Sequence, residues 1–271
     1  MKWYFCIESI GYIRYESYLK AAVISCRKNT SLTPILIWYE ANKHVPDELR
    51  TFLDKYGVKL IHGEGLVFNE LMKQREKIKI TVSHSTPGAY LRFEIPLIEQ
   101  EDEYVLYGDC DIMFNKEIEL DDVKPRFIAC APEFQQNEWG YFNSGVMVMN
   151  IKNMRNTLDN LIDVTMARMR SGFCMGSDQG DLNGYYFQEW TRLNPLFNWK
   201  PYWGVNEDAK IIHFHGPKPD DCAAIINGLN KNEMYNTLFF LDFEAYKYYL
   251  VKFIETLGAE GVRWVPKYFG G

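Results

Sequence analysis

Apolar positions along the first ~110 residues follow two alternating periods. Short apolar runs at residues 3–7, 34–39 and 58–61 read as strands. Between them, Tyr15, Tyr18, Leu19, Ala22 and Val23 recur at helical spacing. Leu49, Phe52, Leu53 and Tyr56 mark a second helix, with Pro46 near its start and Gly57 placed to end it. A polar helix is expected near residues 69–77, and another after Pro87-Gly88 that carries Tyr90, Arg92 and Phe93. Tyr104-Val105-Leu106-Tyr107 then runs into Gly108, the pattern of a buried strand in a parallel sheet. Strands alternating with helices in this way predict an α/β chain with a parallel, nucleotide-binding sheet.

The second half is less regular. Residues 127–131, 145–149 and 210–214 read as strands. Met154, Leu158, Leu161, Ile162 and Met169 share one face of a long helix, and Phe243, Tyr246, Leu250, Phe253, Ile254 and Leu257 share one face of a C-terminal helix. No repeat, low-complexity tract or linker divides the 271 residues, so one domain is expected.

Two aspartates, Asp109 and Asp111, follow the apolar strand directly. Ligands of open α/β sheets bind just past the carboxyl ends of such strands. Paired hard carboxylates there suit Mg²⁺ or Mn²⁺ carrying a diphosphate; a solvated turn is the plainer alternative. The formal net charge of -6 argues against a nucleic-acid partner. It also means that an anionic nucleotide would need a metal to bridge it to the protein. The six cysteines form no C-x-x-C pair and sit among apolar neighbours, as free thiols of a reducing, cytoplasmic compartment do. Glu8 interrupts the first apolar run, so no signal peptide is expected, and no run is long enough to span a membrane.

Three further segments carry candidate chemistry. Asn143-Ser144-Gly145 reads as a turn opening an apolar strand, with Asn143 able to offer its amide to a sugar hydroxyl or to its own backbone. In Gly176-Ser177-Asp178-Gln179-Gly180-Asp181, Ser177 or Asp178 caps a helix whose first turn holds Asp181. In Ile211-Ile212-His213-Phe214-His215-Gly216-Pro217-Lys218, the two histidines share a strand face. His213 can join two carboxylates around Mn²⁺, Gly216 permits close backbone approach, and Lys218 can meet a phosphate.

The ordered set LYGDCDIMF, YFNSGVMVMNI, GSDQGDLN and IIHFHGPKP, spanning residues 86–219, resembles the family 8 glycosyltransferases, which include glycogenin and bacterial lipopolysaccharide galactosyl- and glucosyltransferases. The resemblance implies a GT-A (Rossmann-like) fold with a mostly parallel central sheet flanked by helices. It implies a Mn²⁺-dependent nucleotide-sugar donor, usually UDP-linked, a glycan or glycoconjugate acceptor, and retention of anomeric configuration. By the same resemblance Asp109, Asp111 and His213 are metal ligands, Gly216 and Lys218 touch the diphosphate, and Asn143 and Arg92 lie by the donor sugar. Asp178 and Gln179 match the pair near the reacting anomeric carbon. The implied layout is a nucleotide-binding half (1–114), a donor and acceptor half (115–240), and a C-terminal helix and tail (241–271).

The chain departs from the family at two places. The usual H-x-x-G-x-x-K-P-W is one residue shorter here and has Asp220 for the Trp, which leaves His215 as a substitute diphosphate contact. The first turn, Cys6-Ile7-Glu8-Ser9-Ile10-Gly11-Tyr12, lacks the family's Asp-rich pattern, leaving Glu8 or Tyr12 for the base. Three alternatives stand beside the retaining transferase. A sugar-phosphate nucleotidyltransferase would need Gly11 and Arg14 to serve as a triphosphate loop. A silent sugar-nucleotide or glycan-binding module would bind without turnover. An inverting transferase would need a base such as Glu133 or Glu138. The tail around Val262, Arg263, Trp264, Val265, Lys267, Tyr268 and Phe269 suits either a peripheral membrane contact or a strap on the core.

Overall fold

The computed structural model describes residues 1–78, 86–171 and 178–267. The chain runs β1 (Lys2–Glu8), α1 (Ser9–Asn29), β2 (Thr33–Tyr39), α2 (Asp47–Lys55), β3 (Lys59–His62) and α3 (Leu66–Ile78). Next come α4 (Thr86–Ala89), a 3₁₀ turn (Tyr90–Glu94), α5 (Ile95–Ile98), β4 (Tyr104–Gly108), β5 (Ile112–Phe114), β6 (Ile128–Pro132) and β7 (Phe142–Asn150). The remainder is α6 (Ile151–Arg170), α7 (Asp178–Tyr185), β8 (Thr191–Arg192), β9 (Ile211–His213), α8 (Pro219–Ile226), α9 (Glu233–Leu241) and α10 (Phe243–Gly258).

Seven strands form the main sheet, in the order β3-β2-β1-β4-β7-β6-β8. The first four pair in parallel, as their helix-separated apolar runs predict. β7 runs antiparallel to both β4 and β6, so the sheet is mostly but not wholly parallel. Asn143-Ser144-Gly145 is not the turn expected from sequence. All three residues lie inside β7, because the ladder resumes at Ala131↔Asn143 and Pro132↔Phe142 after a register shift between Cys130 and Ala131.

Alternation along each strand sorts the core into two layers. Trp3, Phe5, Leu36, Trp38, Leu106 and Val148 face α1 and α10, where Leu19, Val23, Tyr249 and Phe253 cover them. Tyr4, Cys6, Ile35, Ile37, Tyr107 and Met147 face the other side, under Leu91, Phe93, Met154 and Leu158. Burying each of the larger side chains contributes about 1.5–3 kcal/mol. Helix ends are set locally. Asn150 caps α6 through Asn153 N–H and Asp242 caps α10 through Ala245 N–H. Gly57, at φ 60°, ends α2 as its sequence position predicts. Ser177, the alternative cap of α7, lies outside the described residues; Asp178 opens that helix.

A second, two-stranded sheet pairs β5 with β9, matching Ile112 to His213. It lies against α1 and decides the geometry of the site. The tail over residues 262–267 is strapped to the body. Trp264 Nε1 and the Lys267 N–H both donate to Asp220 Oδ1, at 3.1 and 3.0 Å, and Trp264 packs edge-on against Phe253. Tyr268 and Phe269 fall outside the described residues. Cys6, Cys26, Cys110, Cys130 and Cys222 are free and buried, and Cys174 lies outside the described residues. Among the described residues no helix is long and apolar enough to cross a membrane.

Candidate active site

A cleft of about 440 Å³ opens at the carboxyl ends of β1 and β4, lined by Glu8, Asp109, Asp111, Gln179, His213 and Lys218 among others. β7 runs opposite to β4, so its first residues lie beside β4's last ones. Gly108 pairs with Val146, and Asp109 N–H donates to Gly145 O at 2.8 Å. The antiparallel strand thereby brings Asn143 and Ser144 to the aspartates. The β5–β9 pairing delivers His213 from the far end of the chain.

Among the described residues, Asp109, Asp111 and His213 offer three ligand atoms within 4.8 Å of one another. A chain of hydrogen bonds fixes the imidazole tautomer. Gly145 N–H donates to Asn143 Oδ1 at 3.1 Å, so that atom is the oxygen. Asn198 Nδ2 donates to the same oxygen at 2.9 Å, which turns Asn198 Oδ1 toward His213 Nδ1, also at 2.9 Å. Nδ1 therefore carries the proton, and Nε2 presents a lone pair to Asp111 Oδ1 at 3.5 Å. Burial pushes the His213 imidazole below its usual value against the pull of Asp111, which keeps it neutral. Asp111 Oδ1 is buried with no hydrogen-bond donor. Two lone-pair atoms thus face each other with no proton between them, and a divalent cation fits that gap. The cradle is tight: a Cβ on Gly145 would stand 2.2 Å from His213 Cε1 and 2.9 Å from Asp109 Oδ2.

Arg92, 4% exposed, lies beneath the cluster. Its Nη2 donates to Asp109 Oδ1 at 2.8 Å, and Nη1 lies 3.0 Å from Asp178 Oδ2 and 2.8 Å from Ser144 O. The guanidinium packs over Tyr107, whose hydroxyl also donates to Asp109 Oδ1. Burial raises the Asp109 and Asp178 carboxyls, and Arg92 is the leading opposing influence on each. Burial pulls Asp111 the same way, but the Lys218 ammonium 2.5 Å from its Oδ2 outweighs it, leaving Asp111 far below the usual range.

The other predicted polar groups knit together on the far wall. Asn143 Nδ2 donates to Glu133 Oε2 at 2.8 Å and to Gln179 Oε1 at 3.1 Å. Ser144 N–H also donates to Gln179 Oε1, so the Gln179 carbonyl is engaged from two sides. His215 bridges Glu133 Oε1 (3.0 Å) and the Tyr202 hydroxyl (2.7 Å). The pair of histidines does not share a strand: β9 ends at His213, although the two rings still meet edge to face 5.6 Å apart.

Residues 11–219 match the model of Glycosyl transferase family 8. The chain belongs to that family. It is similar to General stress protein A of Bacillus subtilis (strain 168), at 27% identity over 189 residues, covering 57% of this chain and 66% of that protein. Among solved structures it resembles the galactosyltransferase LgtC in complex with donor and acceptor sugar analogs (TM-score 0.64, 16% identity, 98% of each chain covered). It also resembles the glycosyltransferase GlyE of Streptococcus pneumoniae TIGR4 (TM-score 0.56, 18% identity, 99% of this chain and 66% of that one). At these identities the structural likeness is one of fold, and that fold is GT-A. The chain is a glycosyltransferase.

Its departures from the family 8 pattern have visible consequences. In the shortened motif Gly216 takes φ 80°, and a Cβ there would meet Leu238 Cδ1 of α9 at 2.6 Å. Lys218 Nζ reaches back to Phe214 O at 2.8 Å as well as to Asp111. Asp220, in the place of the family's Trp, accepts from the Tyr18 hydroxyl at 2.5 Å and anchors the tail. At the first turn Glu8 caps α1 through Gly11 N–H and lines the cleft, with burial pushing its carboxyl up to about 7. Tyr12 does not line the cleft with it. That ring is buried edge-on against Trp38, and Tyr15 lines the cleft instead. Sequence reading missed Tyr107, Ser144, Asn198 and Tyr202. Tyr107 was within reach, near the end of β4 two residues before Asp109. Asn198 carries no local signal at all.

Proposed function

We propose that this family 8 enzyme is a retaining hexosyltransferase that moves glucose or galactose from a UDP-sugar to a glycan or glycoconjugate, with Mn²⁺ (or Mg²⁺) held by Asp109, Asp111 and His213. The observation that carries the metal is the proton-free contact between His213 Nε2 and the orphaned Asp111 Oδ1. Bound there, the cation would offset the negative charge that grows on a departing nucleoside diphosphate. Lys218, at the rim of the same cluster, adds fixed positive charge where that diphosphate would lie. Arg92 holds Asp109 and Asp178 in register from below, and Asn143, Gln179 and Asp178 form the wall assigned to the donor sugar. Among the described residues that line the cleft, five carboxylates (Glu8, Asp109, Asp111, Glu133 and Asp178) face two permanent cations, Arg92 and Lys218. An anionic donor is thus favoured only with a cation in place. In this reading residues 1–114 bind the nucleotide, 115–240 meet the donor sugar and acceptor, and 241–271 are the C-terminal helix and tail of a cytoplasmic protein.

Two alternatives lose ground on particular observations. The Gly11 N–H that a triphosphate loop would use is taken by the Glu8 carboxylate at 3.0 Å. Glu133, the base an inverting enzyme would need, is held down to about 2: burial works against this, but the bonds from His215 and Asn143 prevail. Such a carboxylate is a weak base at neutral pH. The test is UDP release from a panel of UDP-sugars with Mn²⁺ and then with EDTA, followed by NMR of the product anomer. EDTA-sensitive release from one donor is expected. Equal release in EDTA would refute the metal site, and an inverted product would refute retention.

A further inference from the structure

Aromatic side chains that the cleft does not use cluster around Trp139 and the β8 edge. Trp139 and Trp190 stack with centroids 6.1 Å apart and planes 29° from parallel. The Arg192 guanidinium covers Trp139 at 4.9 Å. With Phe187, which is 63% exposed, and Gln188 they enclose a hollow of about 300 Å³. This hollow lies two steps from the active cleft along the surface. It shares Gly140 with a neighbouring hollow under Glu138 and Tyr141, and that one shares Glu133 and Phe134 with the cleft. Phe134 and Tyr141, which line the intervening hollow, are 47% and 43% exposed, so each of the three adjoining hollows is lined by large rings.

Single exposed rings are ordinary; a series of neighbouring ring-lined hollows beside an active cleft is not. The turn that presents Phe187 is also strained. Glu189 N–H donates to Tyr186 O, and Gln188 sits at φ 62°, a left-handed conformation that costs a residue with a side chain about 1 kcal/mol or more. The exposed Phe187 ring and the half-buried indoles of Trp139 and Trp190, bordered by the Gln188 amide and the Arg192 guanidinium, suit a ligand with apolar faces and polar edges. Pyranose rings have that character, with C–H groups on their faces and hydroxyls around their rims. An acyl chain has no use for the polar border.

We propose that this aromatic shelf is an accessory subsite for the distal sugar rings of an oligosaccharide acceptor whose reacting end lies in the cleft, a role that presupposes the glycan-acceptor reading above. The shelf acts in binding and positioning, not in the chemistry. The test uses the full chain with UDP and Mn²⁺, titrated with maltohexaose, cellohexaose and laminarihexaose, with saturation-transfer NMR locating the bound rings. At least one oligosaccharide should bind. Trp139→Ala should weaken it about tenfold and Phe187→Ala about threefold, the scale of an interface aromatic. Phe187→Ala keeps the result interpretable if Trp139→Ala disturbs the Trp190 stack, because Phe187 is mostly exposed. Failure of all three sugars to bind, or undiminished binding to both variants, overturns the proposal. UDP release from the donor without acceptor, read on the same samples, separates the two ideas. If the wild type releases none, the transferase reading falls while glycan binding is judged independently.

Discussion

Gly145→Ala is the sharpest perturbation of the site. The added Cβ would lie 2.2 Å from His213 Cε1 and 2.9 Å from both His213 Nδ1 and Asp109 Oδ2. To reach ordinary van der Waals contact the imidazole must retreat by about 1 Å. It cannot do so freely, because the ring is 2% exposed and Nδ1 is tied to Asn198. Overpacking of this kind costs about 1–3 kcal/mol. The displaced ring leaves Asp109 and Asp111 without a correctly aimed third donor, and misoriented ligands lose about 10–100-fold in metal affinity. The assay is Mn²⁺ titration by calorimetry, with thermal unfolding at fixed Mn²⁺ as a second readout. At a metal concentration one hundred times the wild-type Kd, Mn²⁺ bound at the proposed site would stabilise the wild type by about 2.7 kcal/mol; a tenfold weaker site would keep about 1.4. Gly140→Ala is the control, since nothing lies within 4 Å of the added carbon. If folded Gly145→Ala binds Mn²⁺ as tightly as the wild type, His213 is not a ligand in the arrangement argued here.

Two further outcomes follow from buried carboxyls. Glu8 titrates near 7 in the folded chain, raised by burial from 4.5. The folded state thus holds that proton more tightly. Its stabilising effect is complete below pH 4.5 and is lost as pH rises through 7, a difference of about 3 kcal/mol. Glu8→Gln, which keeps an acceptor for Gly11 N–H, should flatten this decline in thermal midpoint between pH 5 and 8; an unchanged slope would rule Glu8 out as its source. Asp220→Ala removes the shared acceptor of Tyr18, Trp264 and Lys267, at a cost of about 2–3 kcal/mol. Hydrogen exchange over residues 262–267 should then accelerate at least tenfold, on the order of 1.4 kcal/mol of lost protection; unaltered exchange would mean that other contacts hold the strap.

Local periodicity made much of this molecule legible in its sequence. The four parallel strands, the long helices and the Gly57 stop are all local consequences of side-chain size and backbone freedom. The aspartate pair after β4 was readable too, because one apolar strand and two carboxylates suffice to mark a sheet rim. Four ordered motifs together pointed to the family. The direction of β7 was not readable, since an all-apolar strand looks alike in either orientation. That direction sets Ser144 and Gly145 against Asp109 rather than at the opposite edge. The tertiary structure alone decided that Asn198 fixes the His213 tautomer, that Arg92 is buried between two carboxylates rather than open to solvent, and that Asp220 holds the tail. Each of these depends on residues far apart in sequence meeting through packing. Spacing along a chain carries no record of such closure, whereas the β5–β9 pairing and the β6 register shift impose it.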